Sequence, residues 1–257
     1  MNFDTIRYEQ AGPIATLTLN RPERRNAVNG TMVRELNRAL TKVSASPELR
    51  VLVLSGAGNS FSPGADFQTP PPGRGLEADR TPEDFRLTVL LHEMPAITIA
   101  AINGACAGAA LGWACACDLR YCAGSARFNT AWLDVGVAGD MGAIWTLPRI
   151  VGAARARELC FCPGKFDAAE ALRIGLVSRV FPDREFAGQV AAVANRLAEM
   201  SPAALRGMKA NFVAAEKMSL RDYVDFETER HLDLLDSPDT HEAFAAKAEG
   251  RKAKFTG

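Results

Sequence analysis

The sequence predicts an α/β protein of stacked β–α units, and three observations carry that prediction. Short apolar runs recur, Val51-Leu52-Val53-Leu54 and Ile97 to Ile102 among them, and each ends at a turn signal, Ser55-Gly56 or Asn103-Gly104. Strands buried on both faces of a parallel sheet read this way. Segments of helical spacing lie between such runs, an alternation that favours βαβ-type units over an antiparallel sandwich. Beyond Phe181 the strand signals stop and the chain turns helical.

Along the chain, Met1 to Gln10 reads as a polar, strand-like start. Ile14 to Asn20 alternates small or apolar residues with Thr, a strand pattern ended by Arg21-Pro22. Val33, Leu36, Leu40 and Val43 then recur at helical spacing. Phe61 to Asp66 is a Gly-Pro loop, and Thr69 to Pro82 is a Pro-, Gly- and charge-rich loop. A helix from about Pro82 to His92 is expected next. After Asn103-Gly104, the small residues Gly108-Ala109-Ala110-Leu111-Gly112 open a tightly packed helix. Ser201-Pro202 places a capping side chain before a proline at the first helical position, and Ser219 with Asp222 forms a second N-terminal capping pattern. The tail from Phe244 to Phe255 reads as amphipathic and basic at its end. A composition shift near residue 200 divides the chain into a core, 1–199, and a helical C-terminal subdomain, 200–257.

Bulk composition narrows the function classes. Of 257 residues, 47% are hydrophobic, enough for a sizeable core, while 30 basic residues balance 30 acidic ones. A net charge near zero gives no electrostatic reason to expect nucleic acid or an anionic membrane. No apolar stretch approaches the ~20 residues that span a bilayer, and the N-terminus lacks the pattern of a signal peptide. A cytoplasmic protein with reduced thiols is expected. Its cysteines stand at 106, 115, 117, 122, 160 and 162, in C-x-C spacing with no His beside them, so small buried residues are expected in preference to a zinc site. No Ser/His/Asp order, G-x-S-x-G elbow or dinucleotide fingerprint is present.

Several segments, taken in order, resemble the enoyl-CoA hydratase/isomerase, or crotonase, superfamily. They are Asn20-Arg21-Pro22-Glu23-Arg24-Arg25-Asn26-Ala27-Val28-Asn29, Phe61-Ser62-Pro63-Gly64-Ala65-Asp66-Phe67, and Ala100 through Ala110. Asp118-Leu119-Arg120, Arg149-Ile150-Val151-Gly152, Ala169 to Val180 and Lys252-Ala253-Lys254-Phe255 fit as well. The resemblance implies a crotonase-type spiral of repeated ββα units, with C-terminal helices that build a homotrimer or a hexamer of two trimers. It implies an acyl-CoA substrate and no separate cofactor, coenzyme A entering as part of the thioester.

The chemistry implied is stabilisation of negative charge on the thioester oxygen by two backbone N–H groups. By resemblance these belong to Ala65 and Ala109. The neighbouring Gly64 and Gly108 let the backbone approach closely, and a helix beginning at the second loop adds its dipole. Each loop alone is equally a tight strand-to-helix turn; their order and spacing together favour the oxyanion hole. The resemblance also places the stretch Ala65, Asp66, Phe67, Gln68 along the adenine and pantetheine of CoA, and Ala27 among the substrate-binding residues. Arg24 or Arg25, and Lys252 from the tail, would meet phosphates unless they are solvated surface charges.

Two positions depart from the family pattern. Where a hydratase carries its two acid/base glutamates, this chain has Gly112 and Trp132, and neither residue shuttles a proton. Trp132 is expected as a pocket wall. Asp140, in Gly136-Val137-Ala138-Gly139-Asp140-Met141-Gly142, is the acidic candidate that remains. Its spacing from Trp132 resembles that in 4-chlorobenzoyl-CoA dehalogenase, where the aspartate is a nucleophile; dienoyl-CoA isomerases place an acid/base aspartate there. The dehalogenase's base histidine aligns near Phe85, with His92 two helical turns on. Asp140 is equally suited to cap a helix beginning near Met141. The expected function is therefore that of an acyl-CoA lyase or isomerase with Asp140 as acid/base. The alternatives are a non-catalytic acyl-CoA-binding protein, or an aroyl-CoA dehalogenase or thioester hydrolase.

Overall fold

The computed structural model describes residues 2–67 and 81–255. Gln68 and the segment from Thr69 to residue 80 lie outside them. The chain opens with a hairpin, β1 (Ile6–Ala11) and β2 (Ile14–Leu19), followed by helix α1 (Gly30–Ser44). The Asn29 side chain caps α1 by accepting the Met32 N–H at 2.9 Å. Its periodic residues Val33, Leu36, Leu40 and Val43 are all buried, as the spacing predicts.

Three ββα turns follow. The first is β3 (Val51–Gly56), β4 (Ser60–Ser62) and α2 (Leu87–Glu93); the second is β5 (Ile97–Ile102), β6 (Ala105–Ala107) and α3 (Ala109–Ala116). The third is β7 (Leu119–Ala123), β8 (Arg127–Asn129) and α4 (Ala143–Val151), continued by α5 (Ala153–Phe161). The chain then runs through β9 (Phe166–Asp167), α6 (Ala168–Arg173), β10 (Arg179–Phe181) and α7 (Phe186–Ala198) to α8 (Pro202–Ala215), α9 (Leu220–Leu235) and α10 (Pro238–Glu249). The first strand of each turn enters a six-stranded sheet of order β1-β2-β3-β5-β7-β10, and the second enters a four-stranded sheet of order β4-β6-β8-β9. Pairing is parallel except at β1–β2 and β8–β9. This is the expected spiral.

The large sheet separates two cores, which is why β3 reads as an unbroken apolar run. Leu52 and Leu54 face the main core with Leu17, Ala100, Ile102 and Cys122. Val51 and Val53 face the other way, joining Ile99, Ala101 and Tyr121 under Phe186, Val190 and Ala194 of α7. Alternate side chains of a strand point to opposite faces, so a strand covered on both sides has no polar positions.

The C-terminal helices begin where their caps predict. Ser201 accepts the Ala204 N–H and Ser219 the Asp222 N–H. Helix α8 is anchored by Lys209, a buried residue whose ammonium donates to the carbonyls of Leu91 and Ala96 and lies 2.8 Å from the Asp118 carboxylate. Asp118 also accepts the Thr98 N–H, and Arg120 donates to Cys117 and Leu176 carbonyls. The Asp118-Leu119-Arg120 motif is thus a structural clasp. One helical expectation needs correction: the segment from Pro82 to His92 divides into a 3-10 turn, Pro82–Arg86, and the helix α2. In the tail, Gly250, with φ 70°, closes α10, and Arg251 folds back onto Glu242.

All six cysteines are free, and Cys106, Cys115, Cys117 and Cys122 are buried. Burial pushes the Cys115 thiol up to about 11 and those of Cys117 and Cys122 up to about 12, and raises Cys106 as well. A thiol reagent at pH 8 is therefore expected to modify exposed Cys162 first and the four buried thiols only on unfolding. The folded chain keeps these protons while unfolded cysteines release theirs near pH ~8.5. Their contribution to stability is full below that pH and is lost as pH rises towards 12. The midpoint of urea unfolding should fall between pH ~8.5 and ~11, in step with the appearance of reactive thiols; a flat midpoint across that range would contradict the assignment.

Candidate active site

Two loops meet at the top of the spiral. The first, Phe61 to Phe67, is pinned by the segment before α1. Asn26 is fully buried and donates its side-chain amide to Ala57 and Ser60 carbonyls at 2.9 and 2.7 Å. Arg21 forms an ion pair with Asp66 at 2.9 Å and donates to the Ala27 carbonyl at 2.6 Å. Val28 pairs with Ala65 in a parallel bridge: the Val28 N–H donates to Gly64 O at 2.8 Å, and the Asp66 N–H to Val28 O at 2.9 Å. In a parallel ladder the residue between those two contacts turns its own N–H to the opposite side. The Ala65 N–H therefore points away from Val28, and Ala65 is exposed.

The second loop is the start of α3. Gly108 precedes the helix with φ 53° and ψ −127°, a conformation that glycine alone adopts readily. It lies against the first loop: a Cβ on Gly108 would stand 3.7 Å from Gly64 Cα, and one on Gly64 would stand 3.0 Å from the Ala107 carbonyl oxygen. The Ala109 N–H belongs to the first turn of α3, where backbone donors have no intrahelical partner. Among the described residues no acceptor engages the N–H of Ala65 or of Ala109. The loop that carries Ala65 thus packs against the start of α3, which carries Ala109.

Asp140 approaches this place from the third ββα turn. After β8 the chain passes through Ala131 at φ 61° and a short 3-10 turn, Leu133–Val135. It then crosses the run Gly139, Met141 and Gly142, with φ of 107°, 47° and 66°, before α4. The Trp132 indole Nε1–H donates to Asp140 Oδ1 at 2.8 Å. Helix α4 begins at Ala143 behind Gly142, with no side-chain cap. Asp140 is therefore not the N-cap; its carboxylate accepts from the indole, and only its backbone carbonyl receives the Ala143 N–H.

Trp132 is buried, and its indole fixes one oxygen of the Asp140 carboxylate. Its ring also lines an apolar cleft of about 360 Å³ with Leu133, Val137, Ile144, Pro148 and Phe161. The buried hydroxyl of Thr88, on α2, has no partner among the described residues, and its methyl would stand 3.3 Å from a Cβ on Gly142.

Other candidates fall elsewhere. Asp66 is 5% exposed and its ion pair with Arg21 braces the loop. Ala27 is buried, and its carbonyl serves the same brace. Phe67 is 71% exposed beside Ala65. Arg25 is exposed at φ 53°, and Gln68 lies outside the described residues. Lys252 sits 2.6 Å from Glu199 at the end of α7. His92 pairs with Glu216 at 2.9 Å and meets the Trp145 ring edge-on at 5.6 Å. Arg21, Asn26 and Met141 carry loop geometry that the sequence reading left unassigned. Their signal was present: a polar motif too dense for a plain turn, and a methionine flanked by glycine and aspartate.

Two sheets wound as ββα turns define a crotonase-fold protein. The family model described as enoyl-CoA hydratase/isomerase matches residues 9–257, and the chain belongs to that family. It is 33% identical over 268 residues to the mitochondrial Delta(3,5)-Delta(2,4)-dienoyl-CoA isomerase of Rattus norvegicus, covering 98% of this chain and 82% of the relative. It is 37% identical over 258 residues, the full length of both, to a probable enoyl-CoA hydratase of Rhodobacter capsulatus. It is 36% identical over 214 residues to 4-chlorobenzoyl coenzyme A dehalogenase-1 of Arthrobacter sp, covering 80% and 76%. The crystal structure of a putative enoyl-CoA hydratase from Streptomyces coelicolor A3(2) superposes with a TM-score of 0.93 at 30% identity, covering 100% of this chain and 95% of that one.

Proposed function

We propose that this protein is an acyl-CoA isomerase that relocates a double bond with one carboxylate, Asp140. The thioester oxygen sits between the Ala65 and Ala109 amides. Asp140 takes a proton from the α-carbon; the C–H electron pair passes into the acyl group, and the enolate charge rests on the oxygen in the hole. The same carboxyl then returns the proton at the far end of the conjugated system. One C–H bond breaks, one forms, and no water is consumed.

The observation that carries this reading is the 2.8 Å hydrogen bond from Trp132 to Asp140. A neutral indole N–H is a donor only, so the bond fixes the orientation of the carboxylate oxygen that accepts it. It cannot itself accept or deliver the second proton that water addition requires, and Gly112 has no side chain to do so. The dienoyl-CoA isomerases among the relatives support the same reaction class.

A second reading rests on the same contact. Asp140 would attack the ring carbon of a haloaroyl-CoA, expel halide, and be freed by hydrolysis of the aryl ester; the dehalogenase relative supports it. The deciding experiment incubates the protein in D2O with 3-enoyl-, 3,5-dienoyl- and 4-chlorobenzoyl-CoA. The isomerase reading expects double-bond migration, with deuterium entering only as far as the carboxyl exchanges its proton with solvent before returning it, and no chloride release. Chloride release with an aryl adduct on Asp140 in rapid-quench mass spectra would establish the second reading instead. Tight binding of all three thioesters with no turnover would make the protein a binding module. Assembly as a homotrimer or hexamer is part of the proposal; exposed Met208, Phe212, Leu220 and Leu232 on α8 and α9 support it.

A further inference from the structure

We infer that Gly112 is a positioning residue for Asp140: its missing side chain admits the Asp140–Met141 turn against the first turns of α3. The inference rests on the reading of Asp140 as the base and adds what holds that base in place. Gly112 is buried, and its N–H donates to the Gly108 carbonyl at 3.2 Å, which sets it one helical turn beyond the oxyanion donor. A Cβ on Gly112 would meet Met141 Cβ at 2.7 Å, the Met141 carbonyl oxygen at 2.9 Å and the Asp140 carbonyl oxygen at 3.4 Å. These are backbone and Cβ atoms, which cannot swing aside as a flexible side-chain tip does.

The turn has little room to retreat. Met141 is 4% exposed and stands at φ 47° between Asp140 and Gly142. A Cβ on Gly139 would lie 2.7 Å from Ile144 Cγ1, and one on Gly142 would lie 3.3 Å from Thr88 Cγ2. Carbon atoms settle near 3.5–4.0 Å, so one methyl at position 112 must drive the turn back by about 0.8 Å. That movement acts directly on the Trp132–Asp140 hydrogen bond. A misplacement of about 1 Å costs on the order of 100-fold in rate, whereas the thioester grip at Ala65 and Ala109 is untouched. In this chain a side chain at position 112 therefore competes with the backbone of the Asp140–Met141 turn for the same space.

The test uses Gly112→Ala, Met141→Gly and the double variant, with Asp140→Ala as reference. The readouts are kcat and KM on a 3,5-dienoyl-CoA and the indole ¹H–¹⁵N signal of Trp132, with Trp113 and Trp145 as internal controls. In Gly112→Ala, kcat should fall about 10- to 100-fold with KM within about twofold, and the Trp132 signal should move towards its position in Asp140→Ala. Removing the Met141 Cβ in the double variant should restore the signal and part of kcat. An unmoved Trp132 signal in Gly112→Ala would overturn the inference, as would a moved signal that the double variant fails to recover. If Gly112→Ala does not fold, the double variant is compared with Met141→Gly alone, and a Trp132 signal and kcat equal in those two support the inference while unequal values overturn it. Should Asp140→Ala retain full activity, the isomerase reading fails, while the Trp132 signal still decides the packing.

Discussion

Replacing Asp140 by asparagine is expected to lower kcat by about 10²- to 10⁴-fold, the range for loss of a positioned acid/base group, with KM for the acyl-CoA little changed. Asparagine is close to aspartate in shape, and its amide oxygen can still accept the Trp132 indole N–H that Asp140 Oδ1 accepts at 2.8 Å. The turn between Gly139 and Gly142 then keeps its conformation, and only basicity is removed. Steady-state kinetics on a 3,5-dienoyl-CoA, beside a melting curve, checks this. A large loss of kcat at unchanged melting temperature is the expected result. Full activity in the asparagine variant would remove Asp140 from the mechanism.

Substituting Ala109 by proline should cost about 2.7–4 kcal/mol of transition-state stabilisation, the loss typical of one oxyanion donor. The substitution is close to atomic surgery. Ala109 is the first residue of α3, where proline is well tolerated because the N–H it deletes has no intrahelical partner. The preceding residue must avoid the α region, and Gly108 at φ 53° and ψ −127° already does. Binding of the CoA portion should persist while turnover falls, a split between KM and kcat that a general disruption of α3 would not give. If kcat stays at the wild-type level, the Ala109 amide does not meet developing charge.

The strands and helices were legible where burial leaves a periodic trace. Val51 to Leu54 reads as a two-sided strand because α7 covers one face of the sheet and the main core the other. Val33, Leu36, Leu40 and Val43 read as one helix face for the same reason. The close packing of the two loops was legible because close backbone approach demands small residues at fixed places, and Gly64 and Gly108 show that constraint in the folded chain.

What escaped the sequence depends on contacts between distant segments. The ion pairs of Asp66 with Arg21 and of Lys252 with Glu199 join residues far apart in the chain. Asp140 suggests a cap because Asp caps well, yet the chain spends a further turn through Met141 and Gly142 before α4 begins. Gly112 and Trp132 look like simple losses of acid/base groups. In the fold one makes room for the Asp140 turn and the other holds its carboxylate. Such roles come from tertiary packing, which no local spacing encodes.

The most direct test of the account is a crystal structure of the protein with a bound, slowly reacting acyl-CoA. The thioester oxygen should lie about 2.7–3.1 Å from the amides of both Ala65 and Ala109, with an Asp140 carboxylate oxygen about 3–3.5 Å from the α-carbon. A thioester oxygen held by other groups, or a different side chain at the α-carbon, would contradict it.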